Sequence, residues 1–160
     1  MENTVTDNKT ELSSEALQTV TFFIGSELYG IDIRNVVEII KHSDITPVPN
    51  CPEYIEGVTN LRGRIIPIIN LKKRFLLGRD NNGSGEDLIV VVETSDSTAG
   101  LIVDRLSKVV DIPYNLIESK LDIKNSKNER FIDGIGNLND KTVIILNCEE
   151  LLRPENERNN

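Results

Sequence analysis

The 160-residue chain has no tryptophan, one histidine, two cysteines, three tyrosines and four phenylalanines. With so few rings and no indole, its core must be aliphatic, built from Ile, Val and Leu. A single histidine, His42, supplies no imidazole pair for a metal cluster or a triad; beside Ser43 and Asp44 it reads as an inert surface group. Cys51 and Cys148 lie far apart and outside any CxxC or zinc-type spacing, so buried or idle thiols are expected. Neither a GxxxxGK[ST] nor a GxGxxG phosphate loop is present. Asp80, Asn82 and Ser84 alternate as in a calcium loop, but Val91 stands where that loop needs a bidentate glutamate. No catalytic residues, metal ligands or cofactor are therefore expected.

Positive charge is also short. The net charge is −8 and the pI about 4.7, a balance that repels phosphate and excludes a general nucleic-acid binder. The basic set Arg62, Arg64, Lys72, Lys73 and Arg74 has no interleaved ring before Phe75. Lys72 and Lys73 are better read as the wet side of a short helix whose Leu71 and Phe75 face inward. Long apolar runs are missing too: nothing approaches the roughly 20 residues that span a bilayer. The polar, acidic start "MENTVTDNKTELSSEALQ" has no leader-type apolar stretch. A soluble, cytoplasmic chain without direct membrane insertion is expected.

What the sequence does contain is a repeat. "LYGIDIRNVVEIIK" (28–41) lies over "TAGLIVDRLSKVVD" (98–111) at an ungapped offset of 70. "YIEGVTNLRGRIIPIINLKKRF" (54–75) lies over "FIDGIGNLNDKTVIILNCEELL" (131–152) at an offset of 77, with identities at Ile55, Gly57, Asn60, Leu61, Ile68 and Asn70. Two matches in the same order indicate a tandem duplication, with the extra residues around "LDIKNSKNER". Short β-branched runs with regular turn signals, including a two-residue hairpin turn at Gly25-Ser26, predict two small β-barrels in pseudo-two-fold array. Short helices are predicted after each last strand, ending at Gly78 and before Pro154. The expected division is a loose N-terminus 1–17, a first barrel 18–78, a flexible connection 79–86, a second barrel 87–153 and a tail 154–160. Exchange of an edge strand between the barrels stays open. Pro67, in a strand-like run where the other copy has Ile144, predicts an edge or a bulge.

Duplicated units share what the fold needs, so their differences point to function. The first copy places Leu61-Arg62-Gly63-Arg64 at a hairpin tip; the second has Leu138-Asn139-Asp140-Lys141, ordinary turn chemistry. Glu38 corresponds to Lys108, so the copy with Arg62 has the acid. An ion pair between Glu38 and Arg62 is predicted on the outside of the first barrel, worth only about 0–1 kcal/mol and hence more apt to shape a surface than to hold the fold. The alternative is a solvated loop arginine. One of Ile39 and Ile40, and one of Val109 and Val110, must face outward or into the cleft between the barrels, a candidate interaction surface.

"YGIDIRNVVEII", "TPVPNCPEYIEGVTNLRGRIIPIINLKKRF", "GLIVDRLSKVV" and "FIDGIGNL", together spanning about Val20 to Leu152, resemble the CheW family of chemotaxis coupling proteins. With no kinase or receiver sequence attached, the likeness is to the stand-alone adaptor. It implies an all-β fold of two SH3-like five-stranded barrels and a non-enzymatic role. Such an adaptor joins chemoreceptor cytoplasmic tips to the regulatory domain of the chemotaxis histidine kinase. Carried onto matching positions, the resemblance implies receptor contacts at Asn60, Leu61, Arg62, Gly63 and Val109, and kinase contacts at Val36, Glu38, Ile40 and Gly57. An amphipathic receptor helix would suit the apolar cleft. The family's Leu-Arg-Gly is intact, and Cys51 stands where small residues often occur. A coupling scaffold for a non-flagellar chemosensory pathway is the alternative within this class. From another class, a small-molecule-binding barrel would need polar groups converging between the copies, where the repeat supplies mainly aliphatics.

Overall fold

The computed structural model describes residues 15–41, 44–75, 88–119 and 129–154. His42, Gly78, the connection 79–86 and the segments 1–14 and 155–160 lie outside the described residues.

The first half forms β1 (Ala16–Ile24), β2 (Glu27–Asp32), β3 (Val36–Lys41), β4 (Ile55–Leu61), β5 (Arg64–Asn70) and the short helix α1 (Leu71–Arg74). The second half follows with β6 (Leu88–Glu93), β7 (Thr98–Val103), β8 (Arg105–Pro113), β9 (Ile117–Ser119), β10 (Ile132–Leu138), β11 (Lys141–Leu146) and α2 (Cys148–Leu152). The β1–β2 hairpin turns at Gly25-Ser26, as its spacing predicts, with Ile24 opposite Glu27 and Gly25 at φ 64°. Asn70 and Asn147, matched in the repeat, cap the two helices: their side chains accept from Lys73 N and Glu150 N. Each also donates to an acid on a neighbouring strand, Asn70 to Glu56 at 2.9 Å and Asn147 to Asp133 at 3.0 Å.

The strands assemble into two sheets, in the orders β8-β1-β2-β11-β10-β9 and β3-β6-β7-β5-β4. Replacing each strand by its repeat counterpart converts one order into the other, apart from the three-residue β9. Where β9 sets Glu118 opposite Ile135, the first half has the isolated bridge of Thr46 with Val58. Both crossings explain a matched glycine: a side chain on Gly57 would strike the Thr46 carbonyl, and one on Gly134 would come within 2.8 Å of the Glu118 carbonyl. Each sheet curls around its own aliphatic interior as an SH3-like β-barrel subdomain, one holding Ile66, Ile68, Ile89 and Val91, the other Ile112, Val143 and Ile145.

The expected division of the chain at 79–86 does not coincide with the division between the sheets. The hairpin β1–β2 belongs to the sheet otherwise built from the second half, and β6–β7 to the sheet otherwise built from the first. More than an edge strand is exchanged: each barrel takes a whole hairpin from the other half. Residues 33–35 link β2 to β3 across this boundary, and Asp104 alone links β7 to β8. Both faces of the exchanged hairpins are covered. Ile89 and Val91 fill a barrel, whereas Val90 and Val92 join Phe22, Ile24, Ile31 and Leu101 in a core between the barrels. That shared core also gathers most of the chain's few rings, with Phe22, Tyr29, Phe75 and Phe131 in successive contact at centroid distances of 6.3, 5.6 and 5.7 Å. Burial there pushes both the Tyr29 hydroxyl and the Cys148 thiol up to about 12.

Pro67 also departs from expectation. Its strand β5 lies inside the sheet, between β7 and β4. The residue sits at the end of a ladder instead: parallel pairing of β5 with β7 begins at Ile68, whereas β11 pairs with β2 from Ile144, the counterpart of Pro67. With no N–H to donate at that position, the ladder starts one residue later than its counterpart.

Candidate partner-binding surface

The β4–β5 hairpin closes with Leu61 opposite Arg64, leaving a two-residue turn with Arg62 at φ 54° and Gly63 at φ 85°. Its counterpart has Asn139 at φ 49° and Asp140 at φ 69°. Positive φ at both central residues is the turn that matches strand twist, and it favours Asn, Asp and Gly. An arginine in this left-handed region costs about 1–2 kcal/mol, so the turn alone gives no reason for Arg62. The Gly63 N–H donates to Asn60 Oδ1 at 3.0 Å, which ties the tip to its own strand.

Arg62 reaches across to β3. Its Nη1 lies 2.8 Å from Glu38 Oε1, with the arginine side chain 72% exposed and the glutamate 19%. Because β3 and β4 are the two edges of the five-stranded sheet, this pair spans the seam of the barrel. In the other barrel Lys108 and Asn139 occupy these positions and cannot form such a pair. The second oxygen of Glu38 is buried and has no partner among the described residues. Entry into β3 is fixed by Asp32, which accepts from the Arg34 backbone and guanidinium, Nη2 at 2.7 Å. That hydrogen bond from Arg34 holds the Asp32 carboxyl below its ordinary range.

The strands that carry the bridge also present exposed aliphatics. Ile65, opposite Asn60 in register, is 62% exposed, and Val37 and Ile39, on either side of Glu38, are 48% and 39% exposed. Ile39 and Ile40 divide as strand alternation requires, Ile40 packing into the barrel interior. Their counterparts do the same: Val110 packs inward while Val109 is 54% exposed. Val37 and Ile65 were not singled out from the sequence, yet the repeat contains the signal. Their counterparts are Ser107 and Thr142, so the first copy carries apolar side chains where the second has hydroxyls.

The residues named from the sequence fall into two groups. Asn60, Arg62 and Gly63 are exposed at the tip, and Glu38 joins them through its ion pair. Leu61 and Ile40 pack on the barrel interior, Val36 packs on the core between the barrels, and Gly57 is buried. These four support the surface from beneath. Val109 is exposed but lies on β8, an edge of the other sheet, and so belongs to a second face. The space between the barrels is occupied by the shared core, so the outward aliphatics lie at its rims. Among the described residues no group of three or more His, Cys, Asp and Glu could hold a metal ion, and no helix is long and apolar enough to cross a membrane. The arrangement is suited to contact, through exposed aliphatics around one oriented guanidinium.

Comparison with known proteins agrees with this architecture. Residues 18–156 match the family model described as the CheW-like domain. The chain is 38% identical over 143 residues to the chemotaxis protein CheW of Treponema pallidum (strain Nichols), covering 88% of this chain and 84% of that one. To the CheW of Helicobacter pylori (strain ATCC 700392 / 26695) it is 37% identical over 148 residues, covering 92% and 88%. The crystal structure of the scaffolding protein TtCheW from Thermoanaerobacter tengcongensis superimposes with a TM-score of 0.76 at 42% identity, over 82% of this chain and 89% of that one. The chain belongs to the CheW-like family, whose role in chemotaxis is that of a scaffold.

Proposed function

We propose that this protein couples the cytoplasmic tips of chemoreceptors to the regulatory domain of the chemotaxis histidine kinase, acting in the cytoplasm as a non-enzymatic adaptor. An adaptor needs two faces that can be occupied together. The duplicated barrel supplies them: one around the Glu38–Arg62 bridge with Val37, Ile39 and Ile65, the other around Val109 on β8. The observation that carries the reading is Arg62 itself, held at positive φ in a turn that its counterpart fills with Asn139. Local backbone strain retained at an exposed site points to a functional constraint. A transient regulatory contact of this kind would bury about 1,200 Å² or less. Asn60, Arg62, Gly63 and Glu38, with Leu61, Val36, Ile40 and Gly57 beneath them, are assigned to one partner, and Val109 on the second face to the other.

The test is a pull-down of the isolated kinase regulatory domain and of a receptor-tip fragment with the intact protein, Arg62→Ala and Val109→Lys. Arg62→Ala should stay folded and weaken one partner contact about tenfold, and Val109→Lys should weaken the other. Undiminished capture of both partners by both variants would sink the assignment.

A further inference from the structure

A half-open apolar groove of about 460 Å³ lies where β5, β7 and α2 meet. Pro67, Ala99, Tyr54 and Leu152 line it, and Ser97 and Thr98 supply hydroxyls. Its size is within the range of ligand and anchor-residue pockets. The repeat shows what is missing from it. Ala99 corresponds to Tyr29, Leu152 to Phe75 and Tyr54 to Phe131. At the pseudo-equivalent site these three rings are at most 6% exposed and in successive contact, Tyr29 against Phe75 and Phe75 against Phe131. Two of the three rings are thus replaced by smaller side chains on the groove side, and the third, Tyr54, remains as a wall with the Arg74 guanidinium 3.9 Å from its ring centroid. Pro67 adds to the opening, because the β5–β7 ladder starts one residue later than its counterpart.

We propose that this groove receives one aromatic side chain, of tyrosine or tryptophan size, from a partner protein, in the place that Tyr29 and Phe75 fill in the other half. A ring there stacks on apolar walls, and a polar tip meets the hydroxyls of Ser97 and Thr98. Because the groove is open on one side, the ring can enter while the backbone that carries it stays outside. Buried aromatic anchors in such pockets dominate protein interfaces. This is a third surface: it shares no residue with the Glu38–Arg62 face or with Val109 on β8.

The probe is N-acetyltyrosinamide, titrated into the isotope-labelled intact protein while amide chemical shifts are followed. Saturable shifts at residues 97–99 and 151–152 are expected, with a dissociation constant on the order of 1 mM, as befits a single small anchor. N-acetylleucinamide should leave those amides unmoved. Ala99→Phe and Leu152→Phe each restore a ring that the other half has, and each should remove the response; the second serves if the first does not fold. Absence of saturable shifts, or an undiminished response in a folded filled variant, would overturn the proposal. So would binding that appears only after removal of residues 155–160, because the chain's own tail would then be the occupant. The titration needs neither kinase nor receptor, so its failure leaves the adaptor reading standing.

Discussion

Arg62 occupies a backbone conformation better suited to the asparagine in the other half, and the two effects of replacing it can be separated. Arg62→Ala and Arg62→Asn both abolish the 2.8 Å contact with Glu38. They also leave the same half-buried carboxylate behind, one of whose oxygens is already without a partner among the described residues. Only asparagine relieves the positive φ of 54°. Arg62→Asn should therefore be more stable than Arg62→Ala by about 1 kcal/mol, or roughly 2–4 °C in melting temperature for a chain of this size. Both should weaken the same partner contact. Equal melting temperatures would mean that the turn relaxes around the arginine and that strain gives no reason for its presence. The residue was legible in the sequence because the repeat supplied its own comparison: an acid and a base occur together in one half, where the other has Lys108 and Asn139. Ile65 and Val37 were harder to see, since apolar residues in strand-like runs read as core until the register shows which of two neighbours faces out.

The elements show most clearly what duplication preserves. Asn70 and Asn147 perform the same two tasks, accepting a helix N–H and donating to an acid on the neighbouring strand, Glu56 or Asp133. Helices of four and five residues have little stability of their own, so their caps matter. Replacing either asparagine by alanine should cost about 1 kcal/mol, within a range of roughly 0.5–2, measured as a shift in denaturant midpoint at constant slope. The two losses should be similar, because the networks are the same. A large cost at one and none at the other would show that only one helix end is needed. Strands and turns were readable from local chemistry, because alternation and two-residue turns carry short-range signals. Pro67 was misread for a related reason. A proline reports a missing donor but not which neighbour lacks the bond, and here it ends a parallel ladder inside the sheet.

At the scale of the whole molecule, the sequence's two halves and the structure's two barrels are different divisions. Periodicity identifies two copies but carries no information on which copy's hairpin fills which barrel, since β1–β2 and β6–β7 present the same pattern of alternation. The exchange has an energetic consequence. Removing one half would take a hairpin out of the surviving barrel and expose the surviving side of the core shared by Phe22, Tyr29, Phe131, Leu101 and Leu151, all at most 6% exposed. Neither barrel can therefore melt while the other stays intact. Thermal unfolding of the full chain should be a single transition in which the calorimetric and van't Hoff enthalpies agree, as for one domain and not for two. The same coupling joins the two proposed faces, since β3 and β8, which carry Ile39 and Val109, pair with the exchanged strands β6 and β1. A variant that loosens the shared core, such as Leu101→Ala, should lower that one transition, by about 2–5 kcal/mol in stability, without splitting it. Two resolved transitions, in either protein, would show that the barrels unfold independently despite the exchanged hairpins, and would remove the physical basis for communication between the faces.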